Sequence, residues 1–511
     1  MSIPTLIGHQ TEILYVADNQ NMVITGSAGC GKSLLAIYRI YWLSKVYPND
    51  KIVLLTFNRA VNIDMKRKIE EIATNRNEQV PKNLQVYRYN EFMKEILKKI
   101  CDDFNDETFN VDKYLKGGEV VKHNSYSSKK KQVKKAVDEV SEQYTDESTF
   151  KRPYETFLSE ISWMQQMSVM DLDTYEKMER VGRRGTRIDR SKRKYFFEVF
   201  EHYIKIREEN GKYYDYEDIG TTIRNLLKKI ENEDKKKKLL SFKYILIDEF
   251  QDFTSDMLMT VNELSDGNGA MVLLGDINQG VFGKRISFKS LGINMNSFKK
   301  YKLIQNYRNS LPISQFAEKI SQSPYFDKNN EFYAESKLGV RKGQEPKIIQ
   351  YQDEEEEMTK VYQYITDVKK QNRNEKVGII IPGHKFKDFK LFLSKNKDRI
   401  KNYKLVDSNN NIVFGSYRQI KGLEFDTVIM PFLSKAVFIE CIQNDNKEIN
   451  FENDDFDLTE IDSEILEKYI AQYYVGVTRA REKLVLLYSG ELTPLLEGET
   501  FSKYCSGGGK S

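Results

Sequence analysis

The clearest chemistry in this sequence lies in residues 22–35, MVITGSAGCGKSLL, where Gly26, Gly31, Lys32 and Ser33 stand at the spacing G-x-x-x-x-G-K-[ST]. Glycines at these points let successive backbone N–H groups curl round a phosphate without Cβ clashes. A helix opening at the end of the loop adds positive partial charge. Lys32 then reaches the β/γ-phosphates, and Ser33 is placed to ligate Mg2+. Gly26, Ser27, Ala28, Gly29, Cys30, Gly31, Lys32, Ser33 and Leu34 together form the lining of a nucleoside triphosphate cradle. A second cluster, YILIDEFQD at 244–252, puts two carboxylates at the end of an apolar run. Adjacent carboxylates in such a place must both be desolvated, so they are rarely structural. Asp248 is expected to hold the Mg2+ that Ser33 also touches, and Glu249 to orient or deprotonate an attacking water.

Elements that could position these groups alternate along the chain. Strand candidates at 22–25, 52–57 and 84–89 are separated by helical patterns at 34–46 and 61–73, which implies a parallel sheet flanked by helices. From 93 to 240 the sequence is lysine-rich and helical in pattern, an inserted subdomain. Strands resume at 244–247 and 271–274 and complete the first sheet. A second α/β set is expected from runs at 301–304, 377–381, 411–415, 427–431 and 483–488. The division is therefore 1–92 with 241–295 as a first α/β domain, 93–240 as its helical insertion, 296–505 as a second α/β domain, and 506–511 as a disordered tail. Lysine runs at 129–131 and 235–238 are expected on solvated faces, and the acidic run 353–357 at a helix N-terminus.

Composition agrees with this scheme. A chain of 511 residues exceeds one ordinary core, and 40% hydrophobic content excludes wholesale disorder. The net charge of +4 is small for this length, so a nucleic-acid surface must be a local patch. Four cysteines far apart, without C-x-x-C spacing, argue against zinc and disulfides and suit a reducing cytosol. No run approaches the ~18 apolar residues of a membrane span, and the start lacks a signal-peptide pattern, so a cytoplasmic protein with no membrane partner is expected.

Further motifs follow in order: LLGDINQGVFGKR (273–285), LIQNYRNS (303–310), SYRQIKGLEFD (416–426) and YVGVTRARE (474–482). With the two clusters above, this set resembles the superfamily 1 helicases of the UvrD/Rep type over most of the chain. The resemblance implies an α/β fold of two RecA-like parallel-sheet motor domains with a helical insertion in the first, ATP and Mg2+ as cofactors, and DNA-dependent ATP hydrolysis. It places Gln10 at the adenine edge, Tyr307 on the adenine face and Glu424 near the ribose. Gln279 links the γ-phosphate to the DNA contacts, and Arg308 and Arg479 are the paired arginines on the γ-phosphate. Arginine supplied from a second domain makes hydrolysis depend on domain closure. Phe57, Asn58, Tyr89, Phe282, Arg285, Tyr417 and Arg418 lie in segments resembling strand-binding motifs, where aromatics stack on unpaired bases. The basic stretch 180–194 reads either as a phosphate-tracking surface or as a solvated face.

Several positions depart from the family pattern. Lys284 stands where relatives often carry a stacking tryptophan, Arg418 replaces a histidine, and Leu34 replaces an arginine. About 105 residues separate Ser310 from Ser416, which leaves little or no accessory insertion in the second domain. The expected activity is an ATP-dependent single-stranded DNA translocase or helicase, 3′ to 5′, acting on single-stranded or tailed DNA in a repair or phage-defence assembly. The alternative is an ATP-gated DNA-end sensor that activates a protein partner, such as a nuclease, without processive movement.

Overall fold

A computed structural model describes residues 5–104, 111–116, 118–180, 187–276, 295–326, 337–371, 375–395, 411–445, 456, 458 and 461–506. Its strands, in chain order, are β1 (Met22–Gly26), β2 (Ile52–Thr56), β3 (Leu84–Arg88), β4 (Leu115–Lys116), β5 (Glu119–Val120), β6 (Phe242–Asp248), β7 (Ser265–Gly275), β8 (Lys299–Leu303), β9 (Lys347–Tyr351), β10 (Val377–Ile380), β11 (Ile412–Gly415), β12 (Phe425–Met430), β13 (Ala480–Ser489) and β14 (Cys505–Ser506).

Two six-stranded sheets organise the chain, in the orders β3-β2-β6-β7-β1-β8 and β11-β10-β12-β13-β9-β14. Every pairing within them is parallel. Strands β1 and β2 are buried at every residue, as continuous apolar runs must be when helices cover both faces. Alternation sorts their side chains: Met22, Ile24 and Leu54 enter one core, while Val23, Val53 and Leu55 enter the core on the opposite face. The second sheet is divided in the same way, with Ile380 and Val428 on one face and Ile379 and Ile429 on the other.

The expected α/β architecture is present, with four differences of detail. The run 301–304 does not begin the second sheet: β8 pairs with β1 at the edge of the first, with Tyr301 opposite Ile24. A short apolar run shows that a strand forms but not which sheet it joins. Strands β9 and β14 were not expected. β9 alternates apolar and polar residues over only five positions, and β14 is two residues long.

The inserted helical body is also narrower than 93–240. A separate core runs from Val133 to Ile206, whereas the helices Tyr89–Asp103 and Ile219–Leu227 pack into the first sheet's core. Finally, Lys129 is not on a solvated face. It is 2% exposed and inside an ion-pair network described below. The run 235–238 does lie on an exposed helix, Glu233–Leu240. No described helix is long and apolar enough to cross a membrane.

Candidate nucleotide site between the two sheets

The turn after β1 leads directly into the helix Lys32–Val46. Gly29 and Gly31 adopt φ of 79° and 84°, backbone that side chains rarely tolerate. Their surroundings exclude one as well. A Cβ on Gly31 would lie 2.3 Å from Gln10 Nε2, and one on Gly29 would lie 2.5 Å from Asn306 Oδ1. Gln10 is buried and donates Nε2 to the Cys30 carbonyl at 2.7 Å, while its Oε1 accepts from Ile7 N at 3.1 Å. Lys32 Nζ donates to the carbonyls of Gly26 (2.7 Å) and Ser27 (3.0 Å). Burial pulls this ammonium down, but Cys30, Asp276, Glu249 and Asp248 outweigh burial and hold it above the ordinary lysine value.

The carboxylates at the end of β6 meet this loop. Ser33 Oγ donates to Asp248 Oδ2 at 2.8 Å, across 215 residues of sequence. Burial, then the neighbouring Glu249, push Asp248 up to about 7. Its Oδ1 is buried and has no hydrogen-bond partner among the described residues. A hydroxyl and a carboxylate with one oxygen left over are hard donors suited to Mg2+, so these two residues fit the ion the sequence implies. Glu249 sits in the left-handed region at φ 54°, an uncommon place for a non-glycine residue, and accepts from Gln251 Nε2. Burial raises its pKa, but Lys421, Lys32 and Arg479 together hold it below the usual carboxylate range. Gln251 also accepts from Asp276 N at 3.1 Å, tying β7 to the same centre.

The facing wall comes from the segment after β8 and from the second sheet. Tyr307 N donates to the Gly29 carbonyl at 3.0 Å, and 36% of Tyr307 is exposed. Arg308 Nη2 donates to Glu424 Oε1 at 2.6 Å, while its Nε is buried without a partner among the described residues. Desolvation by its neighbours would raise Glu424, whose side chain is 42% exposed, yet Arg308, Lys68 and Arg481 hold it well below the usual range. Arg479 is 1% exposed, with Nε on the Val475 carbonyl at 3.0 Å. Burial, then Arg308, bring Arg479 down to about 10 against the opposing pull of Glu249, Glu424 and Asp276. Asn309 Nδ2 donates to the carbonyls of Thr478 (3.1 Å) and Ala480, pinning the turn that carries Arg479. Gln251, Asp276, Asn309 and Lys421 are additions to the sequence-derived set. Each lies inside or beside a quoted motif, which is the signal that could have found them.

The strand-binding residues fare unevenly. Gln279, Phe282 and Arg285, with Lys284, lie outside the described residues. Tyr89 is 1% exposed and packed edge-on against Phe253, and Tyr417 is 4% exposed near Tyr473. Both rings are core rings with no face for a base, a correction to the sequence reading. An aromatic beside basic residues does not reveal its own burial. Phe57 is half-buried and helps to line an open cavity of about 390 Å3 with Arg88, Asn90, Lys94, Tyr216 and Met257. Asn58 caps the helix Arg59–Asn75 and donates its amide to the carbonyls of Lys421 (3.1 Å) and Gln419 (3.4 Å) in the turn between β11 and β12. Arg418 is exposed.

In the described parts of the basic stretch 180–194, Arg187, Arg190 and Lys194 are exposed, Arg180 and Lys192 are half-buried and Arg193 is buried. Arg180 pairs with buried Glu160 at 2.6 Å, Arg193 donates to three carbonyls, and Lys192 pairs with Glu147 at 2.7 Å. Arg180 and Arg193 are structural, while the exposed Arg187, Arg190 and Lys194 fit either of the two readings.

Comparison with known proteins adds three findings. The UvrD/REP helicase N-terminal domain family matches residues 8–302. YjcD of Bacillus subtilis (strain 168), whose name assigns it provisionally as an ATP-dependent DNA helicase, is 29% identical over 187 residues, 35% of this chain and 23% of that protein. A solved C-terminal domain of a possible DNA helicase from Lactobacillus plantarum WCFS1 aligns with 39% of this chain and 98% of its own, at 17% identity and a TM-score of 0.26. With that family matching more than half of the sequence, the chain belongs to the UvrD/REP helicases.

Proposed function

We propose that the chain is an ATP-dependent single-stranded DNA translocase of helicase type, working inside the cell and moving 3′ to 5′ as the family resemblance implies. The observation that supports it most is the convergence of two sheets on one loop. Lys32, Ser33, Asp248 and Glu249 come from the first; Glu424 and Arg479 come from the second, with Arg308 between them. On this reading Lys32 and the loop N–H groups receive the phosphates of ATP. Tyr307 and Gln10 flank the base. Ser33 and Asp248 hold Mg2+, which would neutralise charge developing on the phosphate oxygens. Glu249, kept ionised by its cationic neighbours, orients the water and accepts its proton. Arg308 and Arg479 stabilise the charge spread over the transferring phosphoryl group, so turnover requires the second lobe to be in place. Alternation between closed and open lobes then becomes movement along the strand.

The test is the ATPase rate with no nucleic acid, single-stranded DNA, duplex DNA, forked DNA and RNA, with Lys32→Ala as the inactive control. Single-stranded DNA is expected to raise turnover about tenfold or more, the scale of a coupling free energy of 1–3 kcal/mol. Equal rates across the panel would sink the motor reading. The burial of Tyr89 and Tyr417 removes two expected stacking rings and favours, as a second reading, an ATP-gated DNA-end switch. Displacement of streptavidin from biotinylated single strands separates the two: hydrolysis without displacement supports the switch.

A further inference from the structure

Residues 419–424 lead into β12 in the second lobe, and the first lobe grips them at three points. Asn58 accepts from Ala60 N at 2.9 Å as a helix cap, while its amide holds the carbonyls of Lys421 and Gln419. Gly422, at φ +82°, lies so close to Val61 that a Cβ would fall 2.2 Å from Val61 Cγ2. Between these two, Lys421 Nζ meets Asp252 Oδ1 at 2.6 Å, with side chains 3% and 4% exposed. Asp252 ends the turn Phe250–Asp252, which starts immediately after Glu249. Glu424, three residues beyond Lys421, holds Arg308. One short segment therefore touches the turn behind the proposed base and the proposed arginine finger.

A buried ion pair is weak evidence for stability, because desolvating both charges offsets most of their attraction; its best-attested use is to fix register. Resting on the ATPase reading above, we propose that Lys421 is a positioning residue whose pair with Asp252 registers the second lobe on the turn behind Glu249, so that Arg308 and Arg479 meet the nucleotide correctly. Lys421 touches neither the phosphates nor the water in this scheme. It acts on the register of the lobes through Asp252, apart from its share in the charge around Glu249. A residue of this kind supports the closed, reacting arrangement more than initial nucleotide binding, so its loss falls on kcat rather than KM.

The test replaces the pair by Asp252→Leu with Lys421→Met, which leaves no unpaired buried charge, and reads kcat and KM for ATP with saturating single-stranded DNA beside a thermal melt. The expected result is an unchanged or raised melting temperature, KM within about twofold, and kcat lower by about 10²-fold, the scale of an ångström-sized misplacement. Lys421→Arg, which keeps the charge, is expected to retain kcat within about tenfold of the unaltered chain. Asp252→Asn with Lys421→Gln repeats the test with an amide pair should the apolar pair fail to fold. Retained kcat in a folded, uncharged pair, or a rise in KM alone, overturns the proposal. An unaltered chain that hydrolyses no ATP overturns the functional reading itself, a distinct outcome.

Discussion

Lys32 in the phosphate loop and Lys129 in the helical insertion are both buried lysines, 6% and 2% exposed, and they are held in opposite ways. Lys129 belongs to a network of paired charges. Its Nζ donates to Gln165 at 2.6 Å and lies 3.6 Å from Asp215, while Arg207 reaches Asp218 at 2.6 Å and Asp215 at 3.1 Å. Tyr203 and Gln165 hydrogen-bond the same carboxylates. Lys32 instead lies on loop carbonyls, among acids at different depths, with Asp248 Oδ1 and Arg308 Nε left without partners among the described residues. Buried charge alone therefore does not mark a reactive centre. Nor does an unpartnered atom alone, since Arg207 Nε in the Lys129 network also has no partner among the described residues; what sets the Lys32 cluster apart is the glycine loop it stands on.

Substitutions should divide along that line. In the open cluster, Arg479→Ala and Glu249→Gln are each expected to lower DNA-stimulated turnover by about 10³-fold. The melting temperature should stay level or rise for Arg479→Ala, because burial and Arg308 disfavour that charge, and should fall modestly for Glu249→Gln, which takes a carboxylate from Lys421, Lys32 and Arg479. Parallel loss of folding would break the contrast. In the Lys129 network the effect reverses. Arg207→Met leaves Asp215 and Asp218 facing each other with one cation fewer, and should lose about 3–5 kcal/mol in urea unfolding. Turnover per folded molecule should not change.

A third buried group sharpens the comparison with a smaller effect. Glu357 is 0% exposed and accepts from Phe432 N. Burial, with Glu354 nearby, pushes its carboxyl up to about 7 from an ordinary 4.5. With the folded value above the unfolded one, the stability this group contributes is whole below 4.5 and is lost as pH rises through about 7. Thermal melts across that window should show a decline of roughly 1–3 kcal/mol that Glu357→Gln flattens.

What could be seen in the sequence follows from how local each signal is. The phosphate loop and the YILIDEFQD cluster are short, and their chemistry constrains every position, so the meeting of Ser33 and Asp248 was foreseeable. Lys129 is different: its partners lie 36 and 86 residues away, and a lysine run looks the same whether it is hydrated or paired. Tyr89 and Tyr417 failed for the same reason, because ring burial is decided by neighbours such as Phe253 and Tyr473 from other elements. Strand β8 was recognisable as a strand, but its partner in the sheet was not.

The position of β8 beside β1 has a mechanical consequence. Among the described residues the backbone leaves the first sheet at Leu303 and joins the second core at Ile313, so the crossover carries Tyr307 and Arg308 past the phosphate loop. Nucleotide would then sit close to the fulcrum. If the lobes turn about this crossover, as the proposed motor requires, Arg308 would move little while the far rims of the lobes would sweep an arc that lengthens with distance, and a small change at a phosphate would be geared up to a stride along a strand.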